Sequence, residues 1–131
     1  MKQMCSIVCM QVALLSSGLF AQNQTDVQIE DIAICTAIED RQPAGIDSTF
    51  SADVGKLYCY TKLKSQMDIL KVTHVWFFED KEMTTVELTM KAKSWRTWSA
   101  KTILPEWKGD WHVEIRDSAG KVITTISFKI T

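Results

Sequence analysis

Short runs of strand-forming residues, separated by turn-forming residues, recur along the chain from residue 28 to its end. In the segments 84–91, 111–116 and 121–130, apolar and polar residues alternate. A period of two places alternate side chains on opposite faces of a strand, so that one face can be buried. No segment after residue 26 shows a convincing helical period. The pattern predicts an all-β fold of about seven strands, an immunoglobulin-like antiparallel β-sandwich.

The alternation also assigns side chains to the core. Trp76 and His74 share one parity, which predicts a buried histidine, whereas His112 falls on an outward, solvated face. Residues 39–54 are expected to form a long loop, and 94–105 a short or bulged edge strand that Pro105 ends. The other predicted inward residues are Val86, Leu88, Met90, Trp111, Val113, Ile115, Val122, Ile126, Phe128 and Ile130.

The first 21 residues predict a cleaved signal peptide. Lys2 precedes a stretch without charge, from Cys5 to Phe20, and Ala21 suits the position before the cut. The apolar run is shorter than the ~20 residues that a membrane span needs, which favours cleavage over a retained anchor. We therefore expect residues 22–131 to form a single periplasmic or secreted domain, with no stable membrane span after cleavage.

Two cysteines, Cys35 and Cys59, remain after the predicted cut. An even pair in an oxidising compartment is a candidate disulfide, which in the chain-entropy model would contribute roughly 3 kcal/mol. The alternative is a pair of buried thiols that pack as small hydrophobic groups. The sequence leaves both readings open.

Charge and composition restrict the classes of partner. The chain has 131 residues and a net charge of −1, which fits one domain and gives no overall attraction to nucleic acid or to an anionic membrane surface. The histidines, cysteines and carboxylates show no metal-ligand spacing. No cofactor motif is present. Ser99 and His74 are residue types that can act as nucleophile and base, but no nucleophile elbow surrounds Ser99. We expect a protein that is not an enzyme.

Several strings of residues resemble the bacterial family known as domain of unknown function 2914. They are residues 72–76, 95–101 and 109–114, with further likeness in 39–43 and 57–61. Two serines typically precede the lysine of the second string in the family, whereas here the second is Ala100. The resemblance covers roughly Ile32 to Ile130. It implies an extracytoplasmic β-sandwich and no known activity.

Three tryptophans lie outside the predicted core strands, and cations accompany them. Aromatic and arginine side chains are frequent anchors of interfaces, and indole rings also stack on sugars. We therefore expect a binding module whose partner is an envelope protein, bound through the Trp95–Lys101 segment or a sheet edge. The alternative partner is a cell-wall polysaccharide such as peptidoglycan, and a third interpretation has the tryptophans covering the open end of the sandwich. The candidate binding residues are Trp95, Arg96, Trp98, Lys101 and Trp107.

Overall fold

Ten β-strands build the part of the chain that the computed structural model describes, which is residues 27–67 and 69–131. The predicted signal peptide, residues 1–21, lies outside this part. The strands are β1 (Gln28–Cys35), β2 (Ala37–Glu39), β3 (Gln42–Ala44), β4 (Thr49–Phe50), β5 (Lys56–Lys64), β6 (Leu70–Phe78), β7 (Lys81–Met90), β8 (Ser94–Thr102), β9 (Gly109–Arg116) and β10 (Val122–Ile130).

Two sheets face each other across the core. One contains three strands in the order β1-β5-β8, and the other contains five in the order β4-β10-β9-β6-β7. Strands β2 and β3 form a separate hairpin. The pairs are antiparallel except for β4, which runs parallel to β10. The prediction of an all-β, antiparallel sandwich is confirmed.

The predicted number of strands was too small. The segment 39–54, expected to be a loop, contains β3 and β4, and β2 begins before it. These strands have only two or three residues, which is too few for a period of two to be recognised. They are held by backbone hydrogen bonds, such as that from Thr36 N to Ala44 O at 3.1 Å.

The alternation located most of the core correctly. Trp76, Trp111, Val113 and Ile115 are at most 1% exposed, as their parity predicted. Val122 was assigned wrongly, because the pairing of β10 with β9 is irregular between residues 122 and 124, and its side chain is exposed. Val86 and Leu88 are half-buried, since β7 is an edge strand.

Residues 27–131 carry their own core. A large cluster surrounds Trp76 and Trp111, and a smaller one contains Val27, Leu63, Val72 and Met90. Both clusters consist of residues between Val27 and Ile130, which lie within the predicted mature chain, residues 22–131. In the described residues, no helix is long and apolar enough to cross a membrane.

Candidate functional site

Strand β8 carries four of the five candidate binding residues, but on two different faces. It pairs with β5, and its register places Trp95 opposite Leu63 and Ser99 opposite Cys59. Because Leu63 and Cys59 belong to the core, Trp95, Ser99 and Lys101 share the inner face. Arg96 and Trp98 alternate with them and take the outer face.

On the inner face, β8 joins a buried polar network that bridges the two sheets. The hydroxyl oxygen of Ser99 lies 2.7 Å from His74 Nδ1 and 3.0 Å from Trp76 Nε1. The hydroxyl of Thr61 lies 3.4 Å from His74 Nε2 and donates to the carbonyl of Thr97 at 3.2 Å. Four of these groups, Ser99, His74, Trp76 and Thr61, have side chains that are at most 4% exposed.

These contacts fix the tautomer of His74. The single proton of the Thr61 hydroxyl goes to the carbonyl of Thr97, so Thr61 must accept from Nε2 of the imidazole. Nδ1 of a neutral ring is then the acceptor, and the Ser99 hydroxyl donates to it. Ser99 in turn accepts the indole N–H of Trp76, which leaves each donor in the network with a partner.

The network favours the neutral form of His74. Burial lowers the pKa of this side chain from 6.5 to about 4, because the charged imidazolium would lose its hydration. Protonation at Nδ1 would also remove the acceptor that Ser99 uses. Ser99 and His74 thus form a saturated structural pair, and in the described residues no three His, Cys, Asp or Glu side chains could hold a metal ion.

A strained turn places Arg41 beside β8. Asp40 and Arg41 both have positive φ angles, 56° and 63°, as the central residues of the β2–β3 hairpin. A two-residue hairpin of this kind prefers Asn-Gly, so a side chain at the second position costs free energy. The guanidinium of Arg41 lies 5.6 Å from the centre of the Trp95 ring, a favourable cation–π distance.

A groove runs between the edge strands β7 and β8 of the two sheets. Its volume is about 430 Å³. Three of its side chains are cationic, whereas its one carboxylate, Glu87, lies 3.4 Å from the ammonium of Lys71. The lining residues are Arg41, Glu87, Leu88, Thr89, Lys91, Trp95, Arg96, Thr97 and Trp98. We call this surface the β7–β8 groove.

The groove joins three of the five predicted residues, Trp95, Arg96 and Trp98, but not the other two. Lys101 extends over the ring of Trp107 at 5.1 Å, and that ring packs 6.0 Å from Trp111. The backbone carbonyl of Trp107 also accepts the indole N–H of Trp111 at 3.1 Å. Lys101 and Trp107 therefore cover the large hydrophobic cluster.

On the outer face of β8, Trp98 lies opposite Tyr60 of β5. Tyr60 is buried although it occupies the outer face of β5. Burial raises the pKa of its phenol, and the charges of Arg96 and Arg41 act in the opposite direction. Both guanidinium groups thus lie in the surroundings of the same buried ring.

Sequence reasoning missed two of the cations in the groove. Neither Arg41 nor Lys91 is among the candidate binding residues that the sequence predicted. Arg41 lies more than fifty positions before Trp95 in the sequence, and the β2–β3 hairpin that brings it to β8 gave no recognisable strand pattern. The basic character of the groove arises only from folding.

Both candidate disulfide cysteines are buried and free in the structure. Ile34 pairs with Cys59 and Cys35 pairs with Tyr58, so the two cysteines occupy opposite faces of the same sheet. Burial raises the pKa of both thiols, which disfavours the reactive thiolate. A bridge would require a different register between β1 and β5.

Comparison with protein families gives one match. Residues 70–130 match the model of a family described as a protein of unknown function (DUF2914). The predicted resemblance to that family is confirmed over these residues. The DUF2914 segment begins with β6 and ends with β10, so it contains His74, Ser99 and the two edge strands of the groove. The further likeness at residues 39–43 and 57–61 lies before the matched segment. A search of curated proteins found no match.

Within the DUF2914 segment, the departure at Ala100 falls on an exposed position. The preceding Ser99 holds the buried network together. The substitution of the second serine therefore leaves the hydrogen bonds of His74 and Trp76 in place.

Proposed function

We propose that the protein is an exported, non-enzymatic immunoglobulin-like module that binds a protein partner through the β7–β8 groove. The order of the strands supports the immunoglobulin-like topology. The three-stranded sheet corresponds to strands A, B and E, and the five-stranded sheet corresponds to G, F, C and C′ with β4 as an additional edge strand. The buried Trp76 lies on the strand that corresponds to C, as in antibody domains. Export rests on the predicted signal peptide.

The observation that carries the binding proposal is the chemistry of the groove. It combines two partly exposed indole rings with Arg41, Lys91 and Arg96. Among the described strands, β8 pairs only with β5, and its other edge adjoins the groove. An extended segment can pair with such an edge through its backbone, while acidic side chains meet the cations. We infer that the partner presents an acidic, extended segment.

The arrangement of the tryptophans favours this partner over a polysaccharide. Sugar rings stack on indoles that share one exposed surface. Here Trp95 and Trp98 line the β7–β8 groove from opposite faces of β8, whereas Trp107 packs against Trp111 and does not line the groove. The three rings that the sugar-binding hypothesis requires do not form one platform.

The His74–Ser99 pair supports a structural role in this proposal. A nucleophilic serine needs access to substrate and a base that can take its proton. Ser99 is 4% exposed and His74 is 0% exposed, so a substrate has no access to either. The proton that Ser99 donates to Nδ1 completes a saturated network.

Selection from a displayed library of random peptides tests the proposal, with residues 22–131 as bait. We expect the selected peptides to be rich in Asp and Glu and to bind more weakly as the salt concentration rises. The variant Arg41→Gln/Arg96→Gln should weaken binding at least about tenfold. The matched control Lys56→Gln/Lys108→Gln removes the same charge outside the groove and should bind like wild type.

Two results would contradict the proposal. One is the selection of neutral peptides that bind the arginine variant and wild type equally. The other is retention on insoluble peptidoglycan that Trp98→Ala abolishes, which would favour the polysaccharide hypothesis.

A further inference from the structure

The loops at the two ends of the sandwich carry opposite charge. At one end lie Val27, where the described chain begins, residues 65–67 and 69, and the loops 91–93 and 117–121. We call this the N-terminal end. With the two strand residues that adjoin each loop, the described residues here contain five lysines, of which Lys71 is paired with Glu87 at 3.4 Å, against one aspartate, Asp117. The lysines are Lys64, Lys71, Lys91, Lys93 and Lys121.

The carboxylate of Asp117 is turned inward. Asp117 is 9% exposed, and its carboxylate accepts hydrogen bonds from the backbone of Ala119 and Lys121, both at 2.9 Å. It is thus turned into the 117–121 loop, where it stabilises the turn. The five lysines are all exposed, so cationic side chains dominate this end.

The same end exposes large apolar side chains. Met67 is 45% exposed, Ile69 is 70% exposed, and Val122 is 43% exposed. These residues belong to two separate segments, and each segment has lysines beside it: Lys64 and Lys71 flank one, and Lys121 precedes the other. Exposed apolar side chains that are surrounded by lysines suit the surface of a bilayer. The apolar groups can enter the boundary between headgroups and acyl chains while the lysines contact the headgroups.

The opposite end has the reverse charge. Its loops, with the two strand residues that adjoin each loop, contain seven carboxylates against five lysines, Lys56, Lys81, Lys101, Lys108 and Lys129. The carboxylates are Asp47, Asp53, Glu79, Asp80, Glu82, Glu106 and Asp110. A net charge near zero for the whole chain therefore coexists with ends of opposite charge.

We propose that the N-terminal end docks on the surface of an anionic lipid bilayer. The lysines contact the lipid phosphates, and Met67, Ile69 and Val122 insert their side chains at the level of the headgroups. The acidic end then points away from the membrane, which fixes the orientation of the domain. The described chain begins at Val27, on the docked side.

The docking surface and the β7–β8 groove share Lys91, so the test avoids that residue. The proposal does not depend on the identity of the groove's partner, and either one can fail alone.

Co-sedimentation of residues 22–131 with lipid vesicles tests the proposal. We expect binding to vesicles of phosphatidylcholine mixed with phosphatidylglycerol, little binding to phosphatidylcholine alone, and release by salt. The variant Lys64→Gln/Lys121→Gln should lower the partition coefficient about fivefold for each lysine. The variant Met67→Ser/Ile69→Ser should lower it at least about tenfold.

Matched variants at the opposite end provide the control. Lys56→Gln/Lys108→Gln removes the same charge, and Ile46→Ser/Leu104→Ser removes two side chains that are 60% and 38% exposed. Both should bind vesicles like wild type, and all four variants should unfold at the wild-type urea midpoint. Failure of wild type to bind anionic vesicles at low salt would overturn the proposal. Equal loss of binding in the opposite-end variants would also overturn it.

Discussion

Neighbouring residues of β8 face two contrasting environments. Ser99 enters the buried network with His74 and Trp76, where each hydrogen-bond donor has a partner. Arg96 and Trp98 line the open β7–β8 groove, where cations outnumber carboxylates. Polar groups in the closed region stabilise the fold, whereas those in the open region are placed to meet another molecule. Substitutions in the two regions should therefore affect different measurements.

The largest expected difference is between two tryptophans. Trp76→Ala removes a fully buried indole and should lower the free energy of unfolding by about 4 kcal/mol. Trp98→Ala truncates a half-buried ring and should lower it by about 1 kcal/mol or less. Urea denaturation followed by circular dichroism measures both values. Equal losses would show that Trp98 is as much a part of the core as Trp76.

The buried network should make a contribution of its own to the pH dependence of stability. The pKa of His74 is about 4 in the fold and near 6.5 when the chain unfolds. Between these values the unfolded state binds more protons, so stability falls as the pH is lowered from about 6.5 to 4, by up to about 3 kcal/mol.

The matched variant His74→Gln separates this contribution from that of the carboxylates. Urea titrations at a series of pH values should give a shallower slope for the variant than for wild type. Identical slopes would contradict the assignment of a buried, neutral His74.

A smaller contrast concerns two adjacent residues of β8. Ser99→Ala leaves the indole N–H of Trp76 and Nδ1 of His74 without partners and should cost about 2 kcal/mol. Ala100→Ser, which restores the serine typical of the family, lies on the exposed face and should change stability by no more than about 0.5 kcal/mol. Thermal and urea unfolding compare the two. A cost for Ala100→Ser as large as that for Ser99→Ala would refute the assignment of the two faces.

The smallest expected effect is that of a reducing agent. Cys35 and Cys59 occupy opposite faces of the sheet as free thiols, so dithiothreitol should leave the free energy of unfolding unchanged. A disulfide would contribute roughly 3 kcal/mol, which reduction would remove. Thiol titration in urea should also find two reactive groups per domain.

The sequence predicted what depends on local alternation. Trp111, Val113 and Ile115 were placed correctly because the eight residues of β9 obey a single strand period. Val122 was misplaced because the irregular pairing between residues 122 and 124 changes which face of the strand its side chain takes. The amino-acid sequence gives no sign of this irregularity. The burial of His74 was predicted, but its partners Thr61 and Ser99 come from strands of the other sheet.

The groove and the charged ends were harder to predict because they depend on which distant residues meet. Arg41 reaches Trp95 only through a hairpin of three-residue strands. Likewise, the lysines of the N-terminal end come from three loops that are scattered along the sequence, with acids between them. A summed charge carries no information about such spatial separation.

The parallel pairing of β4 with β10 has a consequence for the order of folding. Phe50 lies opposite Ile130, the last residue of the last strand, and Thr131 N donates to Phe50 O at 2.9 Å. That edge of the five-stranded sheet can therefore close only after residue 130 has been synthesised. Such distant contacts slow folding, because a long loop must be ordered before they form. A chain shortened by its final ten residues would lose β10, leaving β9 as an uncovered template for aggregation.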